Sequence, residues 1–509
     1  MNYKVDTLPA WSNMARIDHC YPRQHHHPGS VEDVVALMRR LKQTGERCRV
    51  AGNAKSPNSC TFTDAHLIHT DRLNRILSVD VARQQIVCEG GALLRDIFEK
   101  LSEHDLMLRC VPSYVLTTIA GAIGAATHGS GSKTRSLSDY VVSIVLVDGS
   151  GELHTFDVST PKELSLAACH LGMLGVVVRV TIQAERKQMW CLRSRPISLH
   201  KLTAGDTLER RVSDSTFYRF FWVPNTESCY ESIGACVEET ATGPGREVAP
   251  HTASTTTAMP ALALRKVSQF LKAVQHPRKE AVDYQAWLEV QKHPRTQLCK
   301  ALKGNWLRHG VVEAALAAAT VFSRTQPYIN CAYTKIYYSA PEVQYGTPLE
   351  CFTFDCLFKQ WACEWAIDAS KTIEAFQILR EIIALRKLSV HFPVEFRFTA
   401  ADKTALSPSF GRKTCWIGIV MYRPYLRDAP DTLEYYQAFS DAMTALGGRP
   451  HWAKYYAWGP SQLKEAYGQN WDDFLQLRQK LDPCDLFVNG WWKSLSGQGP
   501  VFNSTISRL

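Results

Sequence analysis

No Cys-x-x-Cys pair occurs among the 16 cysteines of this 509-residue chain. Their irregular spacing, as at Cys351, Cys356 and Cys363, speaks against a zinc site or a disulfide frame and fits reduced, mostly buried thiols. No apolar run approaches a membrane span; Val311 to Phe322 is apolar but short and alanine-rich, which suits a packed helix. Met1 to Arg16 is mixed in polarity, so no secretory leader is expected. The formal charge of +9 is spread along the chain and forms no basic block. Scattered charge of this kind is solvated surface, and nucleic-acid binding is not expected. His25-His26-His27-Pro28 has no partner set of ligands in view, so a loop and not a metal site is expected there.

What is present is the composition of an ordinary globular protein, with 45% hydrophobic and 21% charged residues. The length exceeds what one core supports, and two domains are expected. Ser30 followed by Asp33 and the apolar Val34 to Met38 reads as a capped helix start. Arg49 to Ala51 reads as a strand that runs into the turn Gly52-Asn53-Ala54-Lys55-Ser56, where small and polar residues let backbone N–H groups converge on an anion. Leu73 to Asp80 and Gln85 to Gly91 look like strands closing on a glycine turn, with a helix opening at Leu93.

Thr118 to Gly131 is poor in side-chain bulk. Its backbone, through Gly121, Gly124, Gly129 and the amides around His128, can approach a large planar ligand, while Thr127 and Ser130 can bond phosphate or ring edges. A tight helix or turn packing site is the other reading of such a run. A third piece, His170 to Ile182, turns at Gly175 and feeds a strongly apolar strand through Val176 and Val177, which closes the domain.

Two short runs near the far end bring charge into apolar surroundings. In Pro393-Val394-Glu395-Phe396-Arg397-Phe398, alternation puts Phe396 and Phe398 on one face of a strand and Glu395 and Arg397 on the other. Alone this reads as an ion pair on a half-solvated strand. His451-Trp452-Ala453-Lys454 follows about fifty residues later.

With these segments in this order, the chain resembles the aldonolactone oxidoreductases of the vanillyl-alcohol-oxidase flavoprotein superfamily. That group includes gulonolactone oxidase, galactonolactone dehydrogenase and arabinonolactone oxidase. The similarity covers residues 11 to 185 closely, resumes at Tyr218 to Thr226, fades through the middle and returns from Val394 to Asn489. It implies an α+β chain with a two-subdomain FAD-binding domain at 1–189, an α+β substrate cap at 190–465 and a return to the FAD domain at 466–509. It also implies FAD, with FMN left open by the residues themselves, and an aldono-1,4-lactone substrate. The acceptor would be oxygen, cytochrome c or a quinone-like molecule. Several relatives carry a histidine bonded covalently to the flavin where this chain has Lys55. An ammonium is not the nucleophile that attachment uses, so the flavin is expected to be held without a covalent bond. Lys55 then either pairs a phosphate or sits solvated in its loop. His66 and His69 lie beyond that loop in a predicted strand and are not expected to replace the linking residue.

The resemblance assigns roles at the far end. Glu395 would bond the C2 or C3 hydroxyl and help its proton leave, while Arg397 and Lys454 would stabilise the negative charge that develops. His451 either orients these groups or is a core histidine bonded to backbone, and Trp452 is expected to pack. Methyl groups at Ala125 and Ala126, where the backbone nears the ring, point to poor reaction with oxygen. An alditol or sugar oxidase of the same fold would keep the cofactor half and also use a Glu-x-Arg pair. A non-enzymatic flavin protein would need no buried charges opposite the ring.

Between these regions, Glu238 to Pro260 lacks apolar periodicity and is expected to be a long surface loop. Leu262 to Val274 and Trp361 to Leu385 read as helices, Phe352 to Phe354 and Trp416 to Tyr422 as strands. The final Ser507-Arg508-Leu509 matches the Ser-Lys-Leu type of peroxisomal address, with a receptor as partner and a glycosome-like organelle as destination; a cytoplasmic enzyme with a fortuitous ending is the alternative. A tagged copy with a free carboxyl end is expected in the organelle and should lose that location when Leu509 is deleted. Diffuse cytosolic signal from the full-length chain would refute the address.

Overall fold

The Ser30 hydroxyl accepts the Asp33 amide at 3.1 Å, so the chain enters a helix at Val31–Thr44 and leaves it through Gly45 at φ 68°. Val34, Leu37, Met38 and Leu41 fall on one side of this helix and are buried. They share one core with Cys48 and Ile68 of a four-stranded sheet in the order Lys4–Asp6, Gln24–His27, His66–His69, Cys48–Ala51, whose last three strands run parallel. The computed structural model describes residues 4–6, 10–237, 298–354 and 359–499. The expected loop at 238–260, the helix at 262–274 and the terminal tripeptide lie outside the described residues.

A second, antiparallel sheet follows, ordered Leu153–Asp157, Val141–Val147, Val176–Gln183, Gln85–Glu89, Ile76–Asp80. Gly90 and Gly91 end one of its strands where no side chain fits, since a Cβ would lie 2.1 Å from the Val177 carbonyl oxygen and 1.9 Å from that of Thr70, respectively. The third sheet has eight antiparallel strands in the order Glu342–Gly346, Trp190–Ser198, Ser228–Cys236, Phe217–Trp222, Val394–Thr399, Thr414–Tyr422, Gln360–Asp368, Arg449–Pro450. On one of its faces Phe396 stacks on Phe220 at 4.4 Å between centroids and meets Phe376 of the helix Thr372–Leu385. The helix Thr432–Ala445 adds Tyr435, Tyr436, Phe439 and Met443 to that layer. Glu395 and Arg397 are therefore turned the other way, toward the two smaller sheets.

After the cap sheet the chain comes back. Leu486 accepts the Cys48 amide at 2.7 Å, and Asn489 Nδ2 donates to the Phe62 carbonyl at 2.9 Å. Arg49, buried in this seam, donates to the carbonyls of Gly172 at 2.9 Å and Phe487 at 3.0 Å. A guanidinium without a bonded carboxylate is tolerated because carbonyl oxygens take its donors. The fourteen cysteines described are free thiols, eleven of them buried. No helix among the described residues is long and apolar enough to cross a membrane.

Three local expectations are corrected. His25-His26-His27 is not a loop but the strand Gln24–His27, with His25 and His26 bonded to His69 at 2.9 Å and His66 at 2.8 Å on the parallel neighbour. Trp361 to Leu385 is not one helix: Gln360–Asp368 is a strand and only Thr372–Leu385 is helical. That strand is buried on both faces, and a continuous apolar run carries no period by which to tell the two apart. Phe352 to Phe354 is no strand, since Phe352 ends the short helix Pro348–Phe352 capped by Thr347.

Several histidines are sealed inside this framework. Burial pushes His170 and His391 down to about 4 and His26, with its neighbour His66 adding to the effect, to about 3. A depressed folded pKa means the unfolded chain binds protons that the native chain refuses between pH ~6.5 and ~4. Stability is thus present above pH ~6.5 and lost as pH falls, at about 1.4 kcal/mol per pH unit for each such histidine. Urea midpoints should fall steeply between pH 6.5 and 4. A flat profile over that range would show that these rings take up protons in the native state.

Candidate active site

The strand Val394–Thr399 alternates as its sequence demands, placing Glu395 and Arg397 on the face away from the phenylalanines. Pairing puts Gly418 of the next strand opposite both Glu395 and, one strand further, Glu364. The two carboxylates flank a residue with no side chain, which leaves space between them. Glu364 is 4% exposed and ion-pairs with Arg397 Nη2 through Oε1. The same Oε1 lies 3.3 Å from His128 Nε2, and Lys454 Nζ is 3.9 Å from Oε2. Arg397 also donates from Nη1 to Ser113 Oγ at 3.3 Å, and its Nε is 3.5 Å from Glu395 Oε2.

Electrostatics fix the charge states. Burial alone would raise the Glu364 carboxyl, but Arg397, His128 and Lys454 overcome it and hold it well below the carboxylate range. Burial opposes the charge of Arg397 too, and Glu364 with Glu395 more than restores it. Desolvation, then Arg397, pushes His128 down to about 4, and burial drives His451 well below its ordinary value. Both rings are therefore neutral at physiological pH beside an ionised Glu364. His128 stacks on Trp416 at 3.6 Å and its Nδ1 bonds the Gly129 carbonyl at 3.0 Å. His451 Nδ1 accepts the Ala453 amide at 3.1 Å, and its own amide bonds the Glu364 carbonyl at 2.9 Å. The position of His451 thus fits the core, backbone-bonded reading. Trp452 packs, with Nε1 donating to the Leu406 carbonyl at 2.7 Å.

The small-residue loops meet this charged face. Thr118 caps the short helix Ile119–Gly124 by accepting the Gly121 amide, so Gly121 and Gly124 lie in a helix rather than an open loop. Gly124 is needed because a Cβ there would reach the His170 ring at 2.5 Å. The turn Ala51 to Ser56 lies against this segment, with Asn53 Nδ2 on the Leu116 carbonyl at 2.7 Å and Gly52 against Thr118. Ala54 and Ala126 take left-handed backbone at φ 51° and 53°. Lys55 Nζ is 5.7 Å from the Tyr114 ring centroid. Ser130 Oγ donates to the Tyr218 carbonyl at 2.5 Å, Gly131 N to the Phe398 carbonyl at 2.6 Å, and Asn58 Nδ2 to the Lys454 carbonyl at 3.0 Å. The Ser130 hydroxyl is thus spent on tying its loop to the cap sheet. The Thr127 amide bonds the Ala122 carbonyl, and its own carbonyl takes the Leu137 amide. Gly175, at φ 146°, and the buried Val176 and Val177 sit behind these loops, where Ala120 N bonds the Gly90 carbonyl.

A flavin fits this layout. The two loops offer backbone and little bulk, and the sheet face opposite carries buried polar atoms without a hydrogen-bond partner, including Glu395 Oε1 and Arg397 Nε. A metal fits less well. His128, Glu364 and His451 present donor atoms within 4.8 Å of one another, the one such trio among the described residues. Arg397 and Lys454 already neutralise Glu364 and would repel a cation.

Sequence reasoning located Glu395, Arg397, Lys454, His451 and His128, which the fold brings together, but missed Glu364 and Ser113. The signal for Glu364 was a lone carboxylate in the apolar run Trp361 to Ile367. Residues 22–157 match the family described as FAD binding domain, and 247–495 that described as D-arabinono-1,4-lactone oxidase. The chain is 29% identical to the L-gulonolactone oxidase of Mus musculus over 94% of this chain and 97% of that protein. It is 26% identical to the L-gulono-1,4-lactone dehydrogenase of Mycobacterium tuberculosis over 96% and 99%. The structure of cholesterol oxidase from B. sterolicum superposes with a TM-score of 0.70 at 16% identity, covering 97% of each chain, which establishes a shared fold.

Removing the hub of this charge network should be felt throughout. Glu364→Ala, which strands Arg397 and Lys454 without their partner, should cost about 3–5 kcal/mol and lower the thermal midpoint, with Glu364→Gln intermediate. An unchanged midpoint by scanning fluorimetry would show that the carboxylate is dispensable to the fold.

Proposed function

We propose that this chain, which belongs to the FAD-dependent aldonolactone oxidase family, oxidises an aldono-1,4-lactone at C2 with FAD held non-covalently. The observation that carries the reading is the desolvated Glu395–Arg397–Glu364–Lys454 cluster turned toward the small-residue loops. The substrate is L-gulono-, L-galactono- or D-arabinono-lactone; relatives are named for the first and the third. The reaction would be the terminal step of ascorbate or erythroascorbate synthesis. Ser507-Arg508-Leu509 supports a peroxisome-type location and an import receptor as partner.

Bound between the loops at Ala51–Ser56 and Gly121–Ser130, with Gly175 to Val177 behind, FAD supplies a two-electron acceptor for the substrate carbon. Lys55 in the first loop supports non-covalent binding. Glu395 accepts the hydrogen bond of the substrate hydroxyl and takes its proton through Oε2, the carboxylate oxygen that faces Arg397 Nε at 3.5 Å. Arg397, which is buried, and Lys454, which is half-buried, place positive charge where the alkoxide develops. Glu364 holds both cations in position and stays ionised, so it offers no competing acid. Ala125 and Ala126, in place of glycine, are the sequence feature behind a proposed acceptor such as cytochrome c or a quinone over oxygen.

Purified protein should leave yellow flavin in the supernatant after acid precipitation and reduce a dye with at least one of the three lactones. Glu395→Gln and Arg397→Ala should retain flavin and lose roughly 10²–10⁴-fold in turnover. Dye reduction with alditols but no lactone, or near-normal rates in both variants, would defeat the reading.

A further inference from the structure

Arg219 lies on the strand Phe217–Trp222, directly opposite Arg397 in the ladder and 8% exposed. Its guanidinium carbon sits 5.6, 5.2 and 5.2 Å from the ring centroids of Phe217, Phe221 and Phe354, which hold its plane but satisfy no donor. Nη1 reaches the Phe352 carbonyl only at 3.5 Å, and Nε is buried without a hydrogen-bond partner. The nearest carboxylate oxygen, Glu395 Oε1, stands 3.9 Å from Nη1 and is itself buried and unbonded. That separation is too long for a direct hydrogen bond. Nη1 carries a second hydrogen besides the one directed at the Phe352 carbonyl, and such a donor facing an unmet acceptor across this gap is suited to a group that accepts from one and donates to the other.

A hydroxyl is that group. A carbonyl or ring ether oxygen could accept from Arg219 but would turn lone pairs onto the Glu395 carboxylate. The other side of Glu395 repeats the pattern, because Oε2 lies 3.5 Å from Arg397 Nε, which also lacks a hydrogen-bond partner. One carboxylate between two guanidinium groups thus presents two gaps side by side. We propose that Arg219 is a substrate-binding residue which, with Glu395 and Arg397, reads a vicinal pair of hydroxyls, the one being oxidised and its neighbour at C3; the assignment rests on the lactone reading above.

The test uses flavin-loaded full-length protein, the lactone that turns over best, and its 3-deoxy analogue. Wild type should lose about 10- to 100-fold in kcat/KM on the 3-deoxy compound, the usual penalty for a missing partner of a charged group. Arg219→Gln, with flavin content and thermal midpoint preserved, should lose a similar factor on the parent lactone yet match wild type on the 3-deoxy analogue. Arg219→Lys should recover part of the loss. Equal losses on both compounds would make Arg219 a structural residue and overturn the assignment, as would no loss on either. Should Arg219→Gln fail to fold, the wild-type comparison decides: equal turnover of the two compounds overturns the proposal. Turnover of no lactone by flavin-loaded wild type overturns the lactone reading and the assignment with it, whereas lactone turnover with an indifferent Arg219→Gln overturns only the latter.

Discussion

A buried carboxylate shared by three partners organises this molecule. Glu364 comes from the cap sheet, Arg397 from a strand two places along, Lys454 from the segment that leaves the cap, and His128 from the loop of the cofactor domain. Neither Glu364 nor Arg397 could stay ionised in such surroundings alone, because desolvation would cost several kcal/mol per ion. Together they are compensated, and neutral His128 and Ser113 lie against the pair from the cofactor side. Interfaces between domains are often loose. This one has the Glu364–Arg397 pair seated against His128 and Ser113.

The network also shapes the chemistry. Glu364 uses up one nitrogen of Arg397, so in the proposed reaction the remaining nitrogens and the neighbouring Glu395 are what a substrate would meet. Neutral His128 and His451 add hydrogen bonds and ring stacking without adding charge, so the site keeps one charge pattern across the physiological pH range. Fixed charges in a dry site need no reorganisation when negative charge develops on a substrate oxygen. The aromatic layer behind the strand, Phe220, Phe376, Phe396 and Phe398, gives the backbone the rigidity this demands.

Much of the fold was legible where the signal is local. Ser30 with Asp33 marked a helix start because the cap bond spans only three residues. Glu395 and Arg397 could be assigned to one face because strand alternation admits a single answer once Phe396 and Phe398 are buried. Trp361 to Asp368 was misread because a strand covered on both sides carries no alternation. The three consecutive histidines looked like a loop because their partners, His66 and His69, lie some forty residues away on a parallel strand.

By itself, then, the amino-acid order determined the small-residue turn at Ala51 to Ser56 and the Glu-x-Arg strand. These follow from backbone freedom, side-chain bulk and period, which are properties of neighbours in the chain. Tertiary structure alone decided that Glu364 would neutralise Arg397, that Gly418 would open a gap between two carboxylates, and that Arg219 would face Glu395. Those juxtapositions depend on strand order and register in an eight-stranded sheet, set by which apolar faces pack together across hundreds of residues. No local pattern encodes them, because a single-residue slip in any ladder would turn every one of these charges to the opposite face.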